Sequence, residues 1–135
     1  MPRGSEQLTN ARKEEIINAC AKLYKKMSFK DITLKQISLE TTFTRTSIYN
    51  YFQTKEEIFL ALFQREYELW TADIRQIFEE NDSMSVDAFA SALAHTLEKR
   101  EYLLKLLSMN HYDMESRSRL ENLVEFKKSY GNSMA

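Results

Sequence analysis

The chain has 135 residues and a formal net charge of −1, with 43% hydrophobic and 29% charged residues. This balance excludes an intrinsically disordered chain, and no apolar run reaches the roughly 18 residues that a membrane-spanning helix needs. The single cysteine excludes an internal disulfide and favours a reducing, cytoplasmic location.

Glycine and proline are almost absent from this sequence. They occur at Pro2, Gly4 and Gly131, so residues 5–130 contain no strong helix breaker. We therefore predict an all-α protein whose helices are joined by polar turns. The charge is uneven, because residues 1–60 carry ten basic and seven acidic side chains and the remaining residues carry nine and thirteen. A mildly basic N-terminal part weakly favours docking on phosphate.

The first predicted helix is capped by Thr9 or Asn10 and runs to about Met27. Its apolar stripe, at helical spacing, consists of Ile16, Ala19, Cys20, Leu23 and Met27. A cysteine on such a stripe is expected to be an inert core residue. Arg12 and Lys13 either reach a DNA backbone or minor groove or form a solvated basic tail, and the tail is the favoured reading.

A second, short helix is predicted at about 34–40. Thr33 can cap it, and Gln36 three residues later completes a capping box.

A tight turn and a third helix come next. Residues 41–43 break the helical rhythm, and Thr44 caps a helix at about 45–51 whose apolar residues are Ile48 and Phe52. A short helix with so narrow an apolar face and so many hydrogen-bonding side chains presents them outward. This design is typical of the recognition helix of a helix-turn-helix, which lays its first residues against base edges in the major groove.

A long fourth helix is predicted at about 55–80, opened by a capping box of Thr54 and Glu57. Its length of roughly 39 Å would let it contact the N-terminal bundle at one end and a second bundle at the other. Because no other element is as long, we expect all coupling between the two parts to pass along it.

Three further helices are predicted at about 86–97, 99–110 and 115–129, after a polar linker at 81–83 and a cap at Ser85. The middle one carries leucines on most of its circumference, at Leu103, Leu104, Leu106 and Leu107. We therefore expect that helix to be buried.

An ordered set of aromatic and basic residues spans the third helix and the start of the fourth. It consists of Tyr49, Tyr51, Phe52, Lys55 and the following Glu56-Glu57-Ile58. With the Thr33 cap and the stripe of the first helix, this set resembles the DNA-binding segment of TetR-type transcriptional repressors over roughly residues 12–62. Two glycines of that family are replaced here, by Ser28 and Thr42. If Thr42 adopted a positive φ, a strain of roughly 1 kcal/mol would be expected.

The resemblance implies a set of DNA-contacting residues. These are Thr33, Thr44, Arg45, Thr46, Ser47, Tyr49, Tyr51 and Lys55. Arg45 is the first candidate for a base, because arginine bonds bidentately to guanine O6 and N7. The tyrosines are expected at phosphates, and so is Lys55, which opens a helix whose N-terminal dipole favours an anion.

The family also binds small-molecule inducers in its C-terminal bundle. The candidate ligand contacts are Trp70, Phe89, Met109, His111 and Tyr112, although a plain core role is the more frequent one for such residues. The sequence contains no metal-ligand spacing and no catalytic motif, so we expect no metal, no cofactor and no enzyme activity.

The resulting hypothesis is a repressor that binds a near-palindromic operator in double-stranded DNA as a homodimer and is released by an inducer. Residues 1–54 would form the DNA-binding domain, and residues 55–135 the connecting helix and regulatory domain. Family members usually continue for two or more helices past this point, so either the chain is a fragment or its dimer is built differently. We expect an incomplete regulatory domain and a weak or unusual dimer. The alternative is a helical module that docks on protein through the same tyrosine- and arginine-rich surface.

Overall fold

A computed structural model describes residues 3–108 and the single positions 122, 124, 125, 127 and 128, with side chains from residue 6 onward. The helices are α1 (Arg3–Tyr24), α2 (Leu34–Leu39), α3 (Arg45–Ile48), α4 (Lys55–Glu80), α5 (Val86–Glu98) and α6 (Glu101–Leu107), with a 3₁₀ turn at Phe29–Asp31. The predicted all-α class is confirmed. None of the described helices combines the length and apolarity needed to cross a bilayer.

One apolar core joins the first four helices to α6. Its fully buried members include Ile16, Cys20, Tyr24, Ile37, Ile48, Ile58, Phe59, Phe63, Leu103 and Leu106. Phe59 of α4 lies at its centre, with the rings of Tyr24 and Phe29 edge-on to it at centroid distances of 5.0 and 4.8 Å. The apolar stripe predicted for the first helix therefore faces this core.

The starts of α2 to α5 agree with the capping signals of the sequence. The Thr33 hydroxyl accepts from the Gln36 N–H at 3.2 Å, and the Gln36 side chain accepts from the Thr33 N–H at 2.9 Å. Thr54 caps α4 by accepting from the Glu57 N–H, and α4 has the bounds predicted for it. Ser85 caps α5 in the same way. These signals act within four residues, so tertiary packing does not change them.

The bounds of α1 differ from the prediction at both ends. The helix begins at Arg3 and not at Thr9 or Asn10, because threonine and asparagine are tolerated within a helix and do not force it to begin there. It ends at Tyr24, before Met27, where the chain tightens: the N–H groups of Lys26 and Met27 both donate to the Leu23 carbonyl.

Two later helices are also shorter than predicted. α3 ends at Ile48. Residues 49–51 continue it as a turn tighter than an α-helix, because each of their N–H groups donates to the carbonyl three residues earlier.

Contrary to the prediction from the sequence, α6 is not buried on all sides, since Leu104 and Leu107 are 46% and 41% exposed while Leu103 and Leu106 are buried. Only one face of α6 meets the core. The helix predicted at 115–129 lies outside the described residues, apart from the single positions.

The chain after α1 is held by a lysine from α6. Lys105 Nζ donates to the backbone carbonyls of Tyr24 and, at 3.1 Å, of Met27, and it lies 4.0 Å from the Tyr24 ring centroid. Carbonyls at a helix end lack partners within the helix, so a cation there satisfies them. The expectation that only the fourth helix contacts both parts of the molecule is therefore wrong, because α6 also reaches the N-terminal bundle.

An ion-pair cluster joins α4 to the chain between α5 and α6. Arg100 donates two hydrogen bonds to Asp73, at 2.7 and 2.9 Å, and Lys99 lies 3.3 Å from the same carboxylate. The bonds from Arg100 lower the pKa of the Asp73 carboxyl, although its burial acts in the opposite direction.

Replacing Lys105 by methionine should lower the free energy of unfolding by about 1–2 kcal/mol, because the Tyr24 and Met27 carbonyls would lose their charged donor. Urea unfolding at neutral pH measures this. Lys35→Met is the matched control, since Lys35 is an exposed lysine of α2. Equal stability of both variants would contradict the capping role.

Asp73→Asn should destabilise the protein at pH 7 by about 1–3 kcal/mol. A lowered folded-state pKa means that the carboxylate stabilises the fold above its unfolded pKa of about 3.9 and loses this effect as pH falls through the folded value. The difference between parent and variant should therefore shrink as pH falls below about 4, as read from urea unfolding at several pH values. Asp82→Asn, in an exposed loop, is the control.

Candidate nucleic-acid interface

The helix predicted to be the recognition helix, α3, is small and polar. It is four residues long, and Ile48 is its one buried residue. Thr44 caps it, because its hydroxyl oxygen accepts from the Ser47 N–H and its O–H donates to Ser47 Oγ, both at 3.1 Å. Arg45 and Thr46 are exposed, and Ser47 is half-buried. Arg45 makes no hydrogen bond or ion pair with another residue of the described part, so its guanidinium is available to a ligand.

The turn between α2 and α3 forms without a left-handed residue. No non-glycine residue in the described part has a positive φ, so the strain considered for Thr42 does not arise. Thr41 shapes the turn, since its hydroxyl donates to the Ser38 carbonyl at 2.9 Å and accepts from the Phe43 N–H at 3.0 Å. Glu15 of α1 completes it, because its Oε2 accepts from both N–H and hydroxyl of Thr42, at 2.8 and 2.9 Å. The turn therefore needs no glycine, because its φ angles are negative and hydrogen bonds from side chains hold its conformation.

The other glycine replacement is equally unstrained. Ser28 is extended, with φ of −79° and ψ of 158°, and its hydroxyl donates to Asp31 at 2.9 Å.

The two tyrosines after α3 have different surroundings. Tyr49 is 37% exposed, whereas the Tyr51 ring is half-buried against Phe43 at a centroid distance of 6.2 Å. The Tyr51 hydroxyl accepts from Arg12 Nη1 at 3.2 Å, and the Arg12 guanidinium lies 5.9 Å from the Phe43 ring centroid. The structure thus gives Arg12 a contact that neither sequence-based alternative included.

Lys55 is engaged by the protein itself. Its ammonium donates to the carbonyls of Phe29 and Ile32, at 2.8 and 2.9 Å, and approaches that of Lys30 at 3.5 Å. It also lies 4.5 Å from the centroid of the Phe29 ring. An ammonium has three N–H donors, so these carbonyls use its whole capacity. The structure gives Lys55 a role in holding the 3₁₀ turn, and its phosphate contact stays a prediction.

The remaining DNA candidate lies at the start of α2. Thr33 is exposed, and its hydroxyl belongs to the capping box described above. The eight candidate residues therefore come from the starts of α2, α3 and α4 and from the turn after α3. Five of them are exposed, namely Thr33, Thr44, Arg45, Thr46 and Tyr49.

Trp70 and Phe89, the two predicted ligand residues in the described part of the chain, are not brought together. Trp70 donates its indole N–H to Thr96 at 2.9 Å, whereas Phe89 packs on Phe78 with ring centroids 5.6 Å apart. Phe78 and Phe89 line a cavity of about 390 Å³ between the end of α4 and the start of α5, and Trp70 does not line it. Met109, His111 and Tyr112 lie outside the described residues.

Burial shifts the pKa of two groups in the core, a cysteine thiol and a glutamate carboxyl. Burial raises the pKa of the Cys20 thiol, which agrees with an inert core cysteine because the reactive form is the thiolate. Burial also raises the pKa of the Glu66 carboxyl, against the opposing charges of Arg65 and Arg100. Periodicity gave no signal for a carboxylate at this buried position of α4.

Sequence reasoning missed three supporting residues: Arg12, Glu15 and Lys105. Each is an ordinary charged residue on a helix, and its partners lie from 27 to 81 positions away along the chain. No local pattern could therefore have found them.

Two protein-family models together match most of the sequence. Residues 16–62 match the model described as bacterial regulatory proteins of the tetR family, and residues 64–135 match that of the tetracyclin repressor-like C-terminal domain. No curated protein matches the chain. The second match alone covers more than half of the sequence, and the first contains the helix-turn-helix described above. The protein is therefore a DNA-binding transcriptional regulator of the TetR family.

Proposed function

We propose that this regulator is a repressor that binds a near-palindromic operator as a homodimer and leaves it when a small-molecule inducer binds. The observation that carries the proposal is the open surface of α3. Ile48 fixes this helix to the core and Thr44 caps it, while Arg45 and Thr46 stay exposed. A short helix with one side chain in the core and an exposed polar face is typical of helices that bind the major groove.

Base reading is assigned to the first turn of α3. Arg45 can donate two parallel hydrogen bonds to guanine, which is the commonest specific contact between proteins and DNA. Thr46 offers a hydroxyl and a methyl group for a neighbouring base or phosphate. Ser47 is small and already bonded to Thr44, so it lets the helix backbone approach closely.

Phosphate contacts are assigned to the residues that flank α3. Thr33 and Thr44 stand at helix starts, where backbone N–H groups and the helix dipole attract anions. Tyr49 and Tyr51 supply hydroxyls on the following turn, and Lys55 supplies a positive charge. Such contacts fix register and orientation on the duplex and carry no sequence information directly.

The proposed assembly follows from the geometry of B-DNA. Two copies would place their α3 helices in successive major grooves, about 34–36 Å apart, so that the operator mirrors the symmetry of the dimer. Residues 1–54 would be the DNA-binding part and residues 55–135 the connecting and regulatory part. A regulator of chromosomal DNA would act in the cytoplasm.

Inducer binding is assigned to the C-terminal part, with Trp70 and Phe89 as described candidates. Two links could carry the signal to the DNA-binding part. One is α4, which extends from the DNA-binding part into the C-terminal part. The other is Lys105 of α6, whose ammonium donates to the carbonyls at and after the end of α1. A ligand that shifts α6 would therefore act on α1 directly as well as through α4.

Operator selection from genomic DNA fragments tests the reading role of Arg45. The parent should select a near-palindromic motif, and Arg45→Ala should lose preference at one base pair in each half-site, worth about 1–3 kcal/mol. Arg75→Ala is the matched control, since it removes the same charge from an exposed position on α4. Featureless, equal binding by all three proteins would contradict the proposal and favour a protein partner for this surface.

Salt dependence tests the phosphate contact of Lys55. If Lys55 binds phosphate, Lys55→Met should weaken all duplexes alike and lower the slope of log affinity against log salt by about one. Weaker binding with an unchanged slope would instead assign Lys55 to the support of the 3₁₀ turn. Titrations at several salt concentrations, well below the unfolding temperature, distinguish the two results.

A further inference from the structure

We propose that Arg12 and Glu15 of α1 are positioning residues that set the orientation of the recognition helix. The inference rests on the proposed function, because its consequence is measured in operator binding. Neither residue needs to touch DNA. They would act by holding the chain on both sides of α3.

The need for such residues follows from the size of α3. Four residues amount to little more than one turn, and Ile48 is the one buried residue among them. The next core side chain is Phe52, which follows the tighter turn at 49–51. So few anchors fix the position of the helix but leave its rotation poorly constrained. The orientation of Arg45 toward base edges must therefore be fixed through the segments before and after α3.

Glu15 holds the segment before α3. A single carboxylate oxygen accepts from both the N–H and the hydroxyl of Thr42, at 2.8 and 2.9 Å. Hydrogen bonds to an ionised acceptor are about twice as strong as those between neutral groups. Thr42 stands where the family has a turn glycine, and its φ is not positive. Thr41 already holds this turn through local hydrogen bonds to Ser38 and Phe43, and the Glu15 carboxylate ties it to α1.

Arg12 holds both sides of α3 at once. Its Nη1 donates to the Tyr51 hydroxyl after the helix at 3.2 Å, and its guanidinium lies 5.9 Å from the ring centroid of Phe43 before the helix. The two rings also contact each other, with centroids 6.2 Å apart. Arg12 and Glu15 are three residues apart on α1, so one helix face provides both contacts.

Simple electrostatics makes the opposite prediction for Glu15. A carboxylate beside a DNA-binding surface repels phosphate, so its removal should strengthen binding if the charge alone matters. Loss of a positioning contact should weaken binding. The sign of the effect therefore decides between the two roles.

The experiment compares Glu15→Ala, Glu15→Gln and Glu14→Ala with the full-length parent on the selected operator and on an unrelated duplex. Glu14 is the matched control, because it also lies on α1, carries the same charge and binds a neighbour, Arg65, at 3.1 Å. Glu15→Ala should bind the operator roughly tenfold more weakly than the parent, because two charge-assisted bonds to Thr42 are lost, and its affinity for the unrelated duplex should equal that of Glu14→Ala, which loses the same charge. Glu15→Gln should recover most of this loss, since its amide oxygen can still accept.

Operator binding by Glu15→Ala that equals or exceeds that of the parent would overturn the inference. Arg12→Lys provides a second test that keeps the charge. It should weaken operator binding severalfold, because lysine cannot reproduce the guanidinium contacts with Tyr51 and Phe43, whereas Lys13→Arg should not. Equal operator binding by Arg12→Lys and parent would mean that Arg12 acts only as a basic charge, and would overturn its positioning role.

Hydrogen exchange in the free protein separates failure of this inference from failure of the proposed function. The Thr42 amide should be protected in the parent and in Glu14→Ala, and should exchange faster in Glu15→Ala. An unchanged exchange rate of the Thr42 amide in Glu15→Ala would overturn the contact itself, whatever the DNA-binding measurements show. If exchange changes as expected but the parent shows no operator preference, the proposed function fails while the contact stands.

Discussion

The packing of Phe59 against Tyr24 and Phe29 joins the end of α1, the 3₁₀ turn and the start of α4. These three segments surround the point where the DNA-binding part meets the rest of the molecule. Burial of a large apolar side chain such as Phe59 contributes about 1.5–3 kcal/mol, so the junction adds to the stability of the core. The position of α2 and α3 relative to α4 depends on it.

Several backbone carbonyls at this junction have no partner within a helix, and two lysines donate hydrogen bonds to them. Lys55 serves the carbonyls of the 3₁₀ turn, and Lys105 serves those at the end of α1. Each ammonium also lies over an aromatic ring, Phe29 for the first and Tyr24 for the second. Because Lys105 comes from α6, a polar contact and not only packing links the C-terminal part to α1. Movement of α6 would therefore change the support of the DNA-binding part.

The surface that we propose meets DNA is left available by a division of roles. Thr44 and Ile48 hold α3 from within, while Glu15 and Arg12 hold its flanks from α1. Because these residues satisfy the structural needs of the segment, Arg45 can remain without a partner in the described part of the protein. A recognition residue committed to an internal contact would have to break it before binding a base. Lys55 already donates to carbonyls of the 3₁₀ turn, so a phosphate contact would compete with this structural role, and experiment must separate the two.

Local chemistry was readable from the sequence alone. The caps at Thr33, Thr44, Thr54 and Ser85, the apolar stripe of α1 and the bounds of α4 all depend on residues within a few positions of each other, and the structure contains them as predicted. The order and spacing of the residues around Tyr49 and Lys55 were also enough to indicate the family. Tertiary structure decided the early end of α3, the exposure of Leu104 and the contacts of Arg12, Glu15, Lys55 and Lys105. A charged side chain on an exposed helix face has many possible partners, and only the packing of distant helices determines which carbonyl, hydroxyl or ring comes within its reach.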